Sequence, residues 1–210
     1  MLNIICFGDS IAEGGDFDKP KRWTSLLQAR LDEKFPEDYR VINKGIGGNT
    51  SAQGLDRFCD DVLPWLPGLL LVEFGFNDAN VKDWSIEPRV SLGEFVRNLR
   101  EFHRIATAKN TSCVFILNHT IAEVDGRQGN GSTYNENLLP YDQAVIELAE
   151  GLKAEVINLP GMMAVKGIPL QEYLSNDNLH LSVAGNKHYA QMVFDVIIEK
   201  DFYQSLLNKI

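Results

Sequence analysis

The chain is predicted to fold as an α/β protein: a three-layer α/β/α sandwich, flavodoxin-like, with a central parallel sheet of about five strands. Three observations carry this. Short apolar runs such as Ile4–Phe7, Leu69–Phe74 and Ser112–Leu117 alternate with longer stretches of helical periodicity. Such alternation implies right-handed βαβ units and a parallel sheet covered on both faces. Several runs pass directly into glycine-bearing turns, Gly8–Ile11, Gly45–Thr50 and Gly75–Asp78. Finally, no linker-like stretch divides the chain, so residues 1–210 read as one domain.

The elements follow in order. Ile4–Phe7 is a buried strand, broken by Gly8. A polar loop from Glu13 to Lys21 leads to a helix over Arg22–Lys34, which Pro36 ends. Arg40–Asn43 is a second strand, followed by the glycine loop and a helix over Ser51–Val62. Leu69–Phe74 is the third strand. Leu92, Phe95, Val96, Leu99, Phe102 and Ala106 then mark the clearest helix, with Ser91 and Glu94 placed as a capping box. Ser112–Leu117 is the fourth strand. The long loop Asn118–Asn137 holds the glycine-rich stretch Asp125–Gly131, and whether 123–137 forms a lid is left open. A helix over Glu136–Gly151, strand Glu155–Leu159, an irregular stretch Gly161–Leu181, a helix from Ser182 to Lys200 and a short tail helix complete the chain.

Composition narrows the partners. A length of 210 residues allows roughly 70% of the unfolded surface to be buried. A hydrophobic fraction of 44% and a charged fraction of 23% are ordinary for a globular protein. The formal net charge of −9 argues against nucleic acid and against anionic membrane surfaces. No apolar run approaches the ~20 residues that span a bilayer. Met1-Leu2-Asn3 enters the first strand without a basic leader, which predicts a cytoplasmic protein. Cys6, Cys59 and Cys113 lack metal-site spacing, and neither a disulfide nor a structural zinc is expected.

The candidate chemistry lies at the carboxyl edge of the sheet, where open α/β folds bind ligands. Ser10 falls just past the first strand. On that stretch alone the turn reads equally as a helix cap formed by Asp9 or Ser10, or as a nucleophile at Ser10. Asp177-Asn178-Leu179-His180 supplies what a serine nucleophile needs: an imidazole to take its proton and a carboxylate three residues away to hold that imidazole. The glycine turns can aim backbone N–H groups at developing negative charge. Asp9 and Asp78 read as turn-forming Asx residues. His103 and His188 lie on helices, and core or interface packing accounts for Trp23, Trp65 and Trp84. His119, at the end of the fourth strand, is open between a pocket position and a structural one.

The ordered set Gly8-Asp9-Ser10-Ile11, Gly45-Ile46-Gly47-Gly48-Asn49-Thr50, Gly75-Phe76-Asn77-Asp78 and Asp177-x-x-His180 resembles the SGNH hydrolases, the GDSL-type esterases and lipases. The resemblance runs along the whole chain. It departs at Ile11 for the usual leucine, at Leu181 where proline often follows the histidine, and at Asn118-His119-Thr120, which matches no defined role. It implies a serine ester hydrolase with Ser10, His180 and Asp177 as a triad. It also implies an oxyanion hole of the Ser10 and Gly48 N–H groups and the Asn77 amide, with no cofactor or metal. The implied substrate is a small acyl ester. Carbohydrate O-acetylesterase, lysophospholipase or thioesterase activity, or acyl transfer at the same site, are the alternatives. A phosphate-binding flavodoxin-like protein fits worse: Gly45–Thr50 lacks a P-loop lysine, and Asp177 and His180 would be unused.

Overall fold

Five strands, all paired in parallel, form the sheet in the order β2-β1-β3-β4-β5. They are β1 (Leu2–Gly8), β2 (Tyr39–Gly45), β3 (Gly68–Glu73), β4 (Ser112–Leu117) and β5 (Glu155–Asn158). This is the flavodoxin-like order, with its switch point between β1 and β3. The computed structural model describes residues 1–122, 124, 126–200 and 202. The tail helix expected at the end of the chain falls outside them. β3 is buried along its whole length, as a central parallel strand covered on both faces must be.

Helices α2 (Trp23–Lys34) and α9 (Val183–Glu199) pack together on one face, joined by α7 (Leu159–Lys166) and α8 (Leu170–Tyr173). The other face carries α3 (Ser51–Asp61), α5 (Leu92–Thr107) and α6 (Tyr134–Leu152). There Phe7 meets Phe58, Phe74 and Phe102 edge-on, with centroids 5.3–5.5 Å apart. On the α2/α9 face Trp23 lies against Tyr189 at 4.5 Å.

The structure corrects the sequence reading in places. The stretch taken as irregular, Gly161–Leu181, contains most of α7 and all of α8. Asn158 caps α7 by accepting from the Gly161 N–H, and Pro160 occupies its first turn. That start signal was masked because Leu159 also extends the apolar run of β5. At α5 the Ser91 hydroxyl accepts from the Glu94 N–H. Both halves of a capping box are present instead at Thr50/Gln53 and Thr133/Glu136. Two short helices, α1 (Ser10–Glu13) and α4 (Phe76–Ala79), replace what read as turns after β1 and β3.

Register decides what the carboxyl edge presents. Gly8 pairs with Gly45 on one side and Glu73 on the other, so the three strands end level. A Cβ at Gly45 would overlap the Glu13 backbone nitrogen, and one at Gly8 the Glu73 carbonyl. α1 can therefore lie across the end of β2 only because Gly45 has no side chain. By contrast, Gly151 in the last turn of α6 has open space around its missing Cβ. Gly45→Ala should cost about 3 kcal/mol, the upper end of overpacking penalties. Gly151→Ala should add about 0.5–1 kcal/mol of helix propensity. Urea midpoints of the two variants check this, and a shift of the same sign in both would contradict the packing described.

Candidate active site

Asp9 is the N-cap of α1, its Oδ1 accepting from the Ile11 N–H at 3.0 Å. Of the two residues that could cap this turn, Asp9 is the one that does. Ser10 is left free as the first residue of the helix, half-buried at the sheet edge. Side chains hold α1 from outside: Trp23 Nε1 donates to the Ile11 carbonyl at 2.9 Å, Asn43 Nδ2 to the Ala12 and Glu13 carbonyls at 2.8 and 3.1 Å, and Arg22 Nη1 to the Glu13 carbonyl at 3.2 Å.

Across the edge, the loop between α8 and α9 brings up the imidazole. His180 Nε2 lies 2.9 Å from Ser10 Oγ, and His180 Nδ1 lies 2.6 Å from Asp177 Oδ2. Asp177 Oδ1 accepts from Ser175 Oγ at 2.6 Å and from the Leu179 and His180 N–H groups, both at 2.9 Å. Partial burial alone would raise the Asp177 carboxyl. The hydrogen bonds from Ser175, His180 and the two backbone amides outweigh it and hold the group well below the ordinary carboxylate range. A carboxylate so placed fixes Nδ1 as the protonated nitrogen of a neutral ring. Nε2 then has a lone pair directed at the serine hydroxyl. Asp16 Oδ2 stands 4.0 Å from His180 Nδ1 as a second, exposed carboxylate.

Gly48 and Asn77 reach the same edge from β2 and β3. Gly48 has φ +75°, a backbone that favours glycine. The Gly47 N–H donates to Glu13 Oε2 at 2.6 Å, tying that loop to α1. Gly75, at φ +140°, makes the turn into α4, and any side chain there would collide with Asn118. Asn77 Nδ2 donates to Asp9 Oδ2 at 3.2 Å. The Asn77 amide carries a second N–H, and Asp9 immediately precedes the serine.

Some roles differ from those read from sequence. Asp78 is no turn residue. It is fully buried and accepts from the Ser51 N–H at 2.9 Å and from Ser51 Oγ, joining α4 to α3. Burial pushes its carboxyl up to about 6, and burial with the nearby Asp78 charge pushes Asp9 up to about 7. His119, open between a pocket and a structural position in the sequence, is fully buried between Phe76 and Tyr173. Its Nε2 lies 2.7 Å from the Leu179 carbonyl, within the loop that carries Asp177 and His180. Trp23 is core, while Trp84 stands 86% exposed. The glycine-rich loop packs against its neighbours: Gln128 Oε1 accepts from the Val81 N–H at 2.9 Å, and a Cβ at Gly129 would strike the Ser85 and Lys82 carbonyls. Asp125, also read as part of that loop, lies outside the described residues.

Arg89 carried no sequence signal, because it sits in an irregular stretch with no motif. Its Nη1 donates to Asn77 Oδ1 and its Nη2 to the Gly48 carbonyl, each at 3.0 Å. Among the described residues no helix is long and apolar enough to cross a membrane.

Comparison with known proteins agrees with this architecture. The profile of the GDSL-like lipase/acylhydrolase family matches residues 6–188. Esterase TesA of Pseudomonas aeruginosa is 42% identical over 77 residues, a stretch covering 36% of this chain and only 37% of TesA. The isoamyl acetate-hydrolyzing esterase 1 homolog of Bos taurus is 26% identical over 220 residues, covering 94% of this chain and 82% of that protein. The solved lipase/acylhydrolase of Enterococcus faecalis superposes with a TM-score of 0.78 at 24% identity, covering 95% and 97% of the two chains, a likeness of fold.

Burial lowers the His119 ring to about 4, so the folded protein keeps it neutral where the unfolded chain protonates it near 6.5. Stability from this group is complete above pH 6.5 and is lost as pH falls toward 4. Across that window it amounts to about 3 kcal/mol. His119→Gln, which retains a donor, should show a correspondingly smaller loss between pH 7 and pH 4.5 in urea unfolding. The same loss in both proteins would rule His119 out as its source.

Proposed function

The chain belongs to the GDSL-like lipase/acylhydrolase family, and from that premise we propose that it hydrolyses small acyl esters with Ser10 as nucleophile, His180 as base and Asp177 as the group that orients the base. The observation that carries this reading is the unbroken run Ser10 Oγ, His180, Asp177, with links of 2.9 and 2.6 Å. Residues 1–210 act in it as one hydrolase domain.

In this reading Ser10 Oγ bonds to the ester carbonyl carbon while His180 Nε2 takes the hydroxyl proton. The carbonyl oxygen becomes an oxyanion, held by the Ser10 and Gly48 N–H groups and Asn77 Nδ2. Collapse breaks the bond to the alcohol, and His180 returns the proton to the leaving oxygen. Water then repeats the sequence on the acyl-enzyme and restores Ser10. Asp177 stays ionised throughout, since its hydrogen bonds hold its carboxyl low, and it stabilises the imidazolium formed in each half. The bovine relative, named for isoamyl acetate hydrolysis and matched over 94% of this chain, supports a short acyl group.

A p-nitrophenyl ester series from acetate to palmitate should show turnover strongest at the short end. Ser10→Ala should abolish it with the circular dichroism spectrum unchanged. Wild-type rates in Ser10→Ala would mean a different nucleophile. Asn77→Ala should lower kcat by about 10²–10³-fold with little change in KM. A change confined to KM would make Asn77 a ground-state binding residue.

A further inference from the structure

We propose that Arg89 is a positioning residue for the oxyanion hole: its guanidinium holds Asn77 and Gly48 together and fixes which end of the Asn77 amide faces Ser10. The proposal rests on the reading of Asn77 and Gly48 given above.

A carboxamide has nearly the same shape with its oxygen and nitrogen exchanged, so its orientation is set by its partners. Asp9 is one partner, 3.2 Å from Asn77 Nδ2. Asp9 alone fixes nothing near neutral pH. Its carboxyl is pushed up to about 7, and once protonated it can donate to an amide oxygen as readily as accept from an amide nitrogen. Arg89 offers donors only, since a guanidinium has five N–H groups and no acceptor. The Asn77 atom 3.0 Å from its Nη1 must therefore be Oδ1. Nδ2 is then forced toward Asp9, the residue that immediately precedes Ser10.

The same planar group holds the other element. Nη2 donates to the Gly48 carbonyl at 3.0 Å and stands 3.5 Å from Gln53 Oε1, which itself accepts from the Thr50 N–H. One rigid fork thus spans the loop after β2 and the turn after β3. Arg89 is itself anchored to that turn. Its N–H donates to the Asn80 carbonyl at 3.0 Å, and the N–H of buried Val90 donates to the Asp78 carbonyl at 3.2 Å.

The test measures p-nitrophenyl acetate hydrolysis by wild type, Arg89→Ala, Arg89→Lys, Asn77→Ala and the Arg89→Ala/Asn77→Ala double variant. Arg104→Ala, at an exposed pair with Glu101 on α5, serves as a control that should leave kcat unchanged. Arg89→Ala should lower kcat about tenfold or more, short of the 10²–10³ for a lost oxyanion donor, with KM within about twofold. Arg89→Lys keeps the charge without the fork and should be nearly as slow. Added guanidinium chloride at millimolar concentration should raise the rate of Arg89→Ala and not that of wild type. In the Asn77→Ala background, removing Arg89 should cost far less than tenfold.

Wild-type kcat in Arg89→Ala overturns the proposal, as does full activity in Arg89→Lys, which would make the effect one of charge. An undiminished Arg89 effect in the Asn77→Ala background overturns it too. Slow Asn77→Ala with fast Arg89→Ala removes this proposal alone. Unchanged kcat in Asn77→Ala removes the oxyanion reading and this proposal with it.

Discussion

Everything at the carboxyl edge depends on the backbones of β1, β2 and α1 coming closer than any side chain would permit. Gly8 sits level with Gly45 and Glu73, and α1 folds over the end of β2 into the space a Gly45 side chain would occupy. That contact aims the first turn of α1 across the edge. It also brings Glu13 within reach of the Gly47 N–H. The loop bearing Gly48 is thereby referenced to the helix bearing Ser10. Each segment is irregular taken alone. Each becomes fixed because the sheet register beneath is shared.

A second layer of support comes from the three residues after β4. Asn118 Nδ2 donates to the Phe74 carbonyl at 3.1 Å, bracing the turn that precedes Asn77. His119 holds the Leu179 carbonyl, and Thr120 accepts from the Tyr173 hydroxyl at 2.8 Å, which fixes α8 ahead of the Asp177–His180 loop. The supports of the amide turn and of the acid–histidine loop are thus adjacent in sequence. Such support has a cost. Asp9, Glu73 and Asp78 are all buried beneath the edge, and burial pushes each carboxyl upward. These groups bind protons in the folded state at pH values where the unfolded chain has released them. Their contribution to stability declines as pH rises above the ordinary carboxylate range.

The fold class and the strands were legible because apolar runs and helical periodicity are local signals. The middles of the strands, the long α5 face and the break at Pro36 needed no tertiary information, whereas Gly8, read as breaking the first strand, is its last paired residue. α7 and α8 were not legible, since a short helix beginning inside the apolar run of β5 has no periodicity long enough to stand out. At the site, motif spacing singled out Ser10, Gly48, Asn77, Asp177 and His180, and the structure brings all five to one edge. What the sequence withheld were residues whose partners lie far away along the chain. Asp78 reaches Ser51, His119 reaches Leu179, and Arg89 spans Gly48 and Asn77. Each makes a contact only once helices and strands are packed, and no spacing rule encodes it.

The hydroxyl and its imidazole are separated by 170 positions of sequence yet lie 2.9 Å apart. During synthesis the turn bearing Ser10 is made 170 positions before His180, which follows the last strand of the sheet. The intervening parallel pairings, each between distant segments, must close before the two ends can meet, an order that slows folding. A polypeptide that stops at α8 therefore carries Ser10 without its imidazole partner. Under the function proposed above, ester turnover is a readout of completed folding.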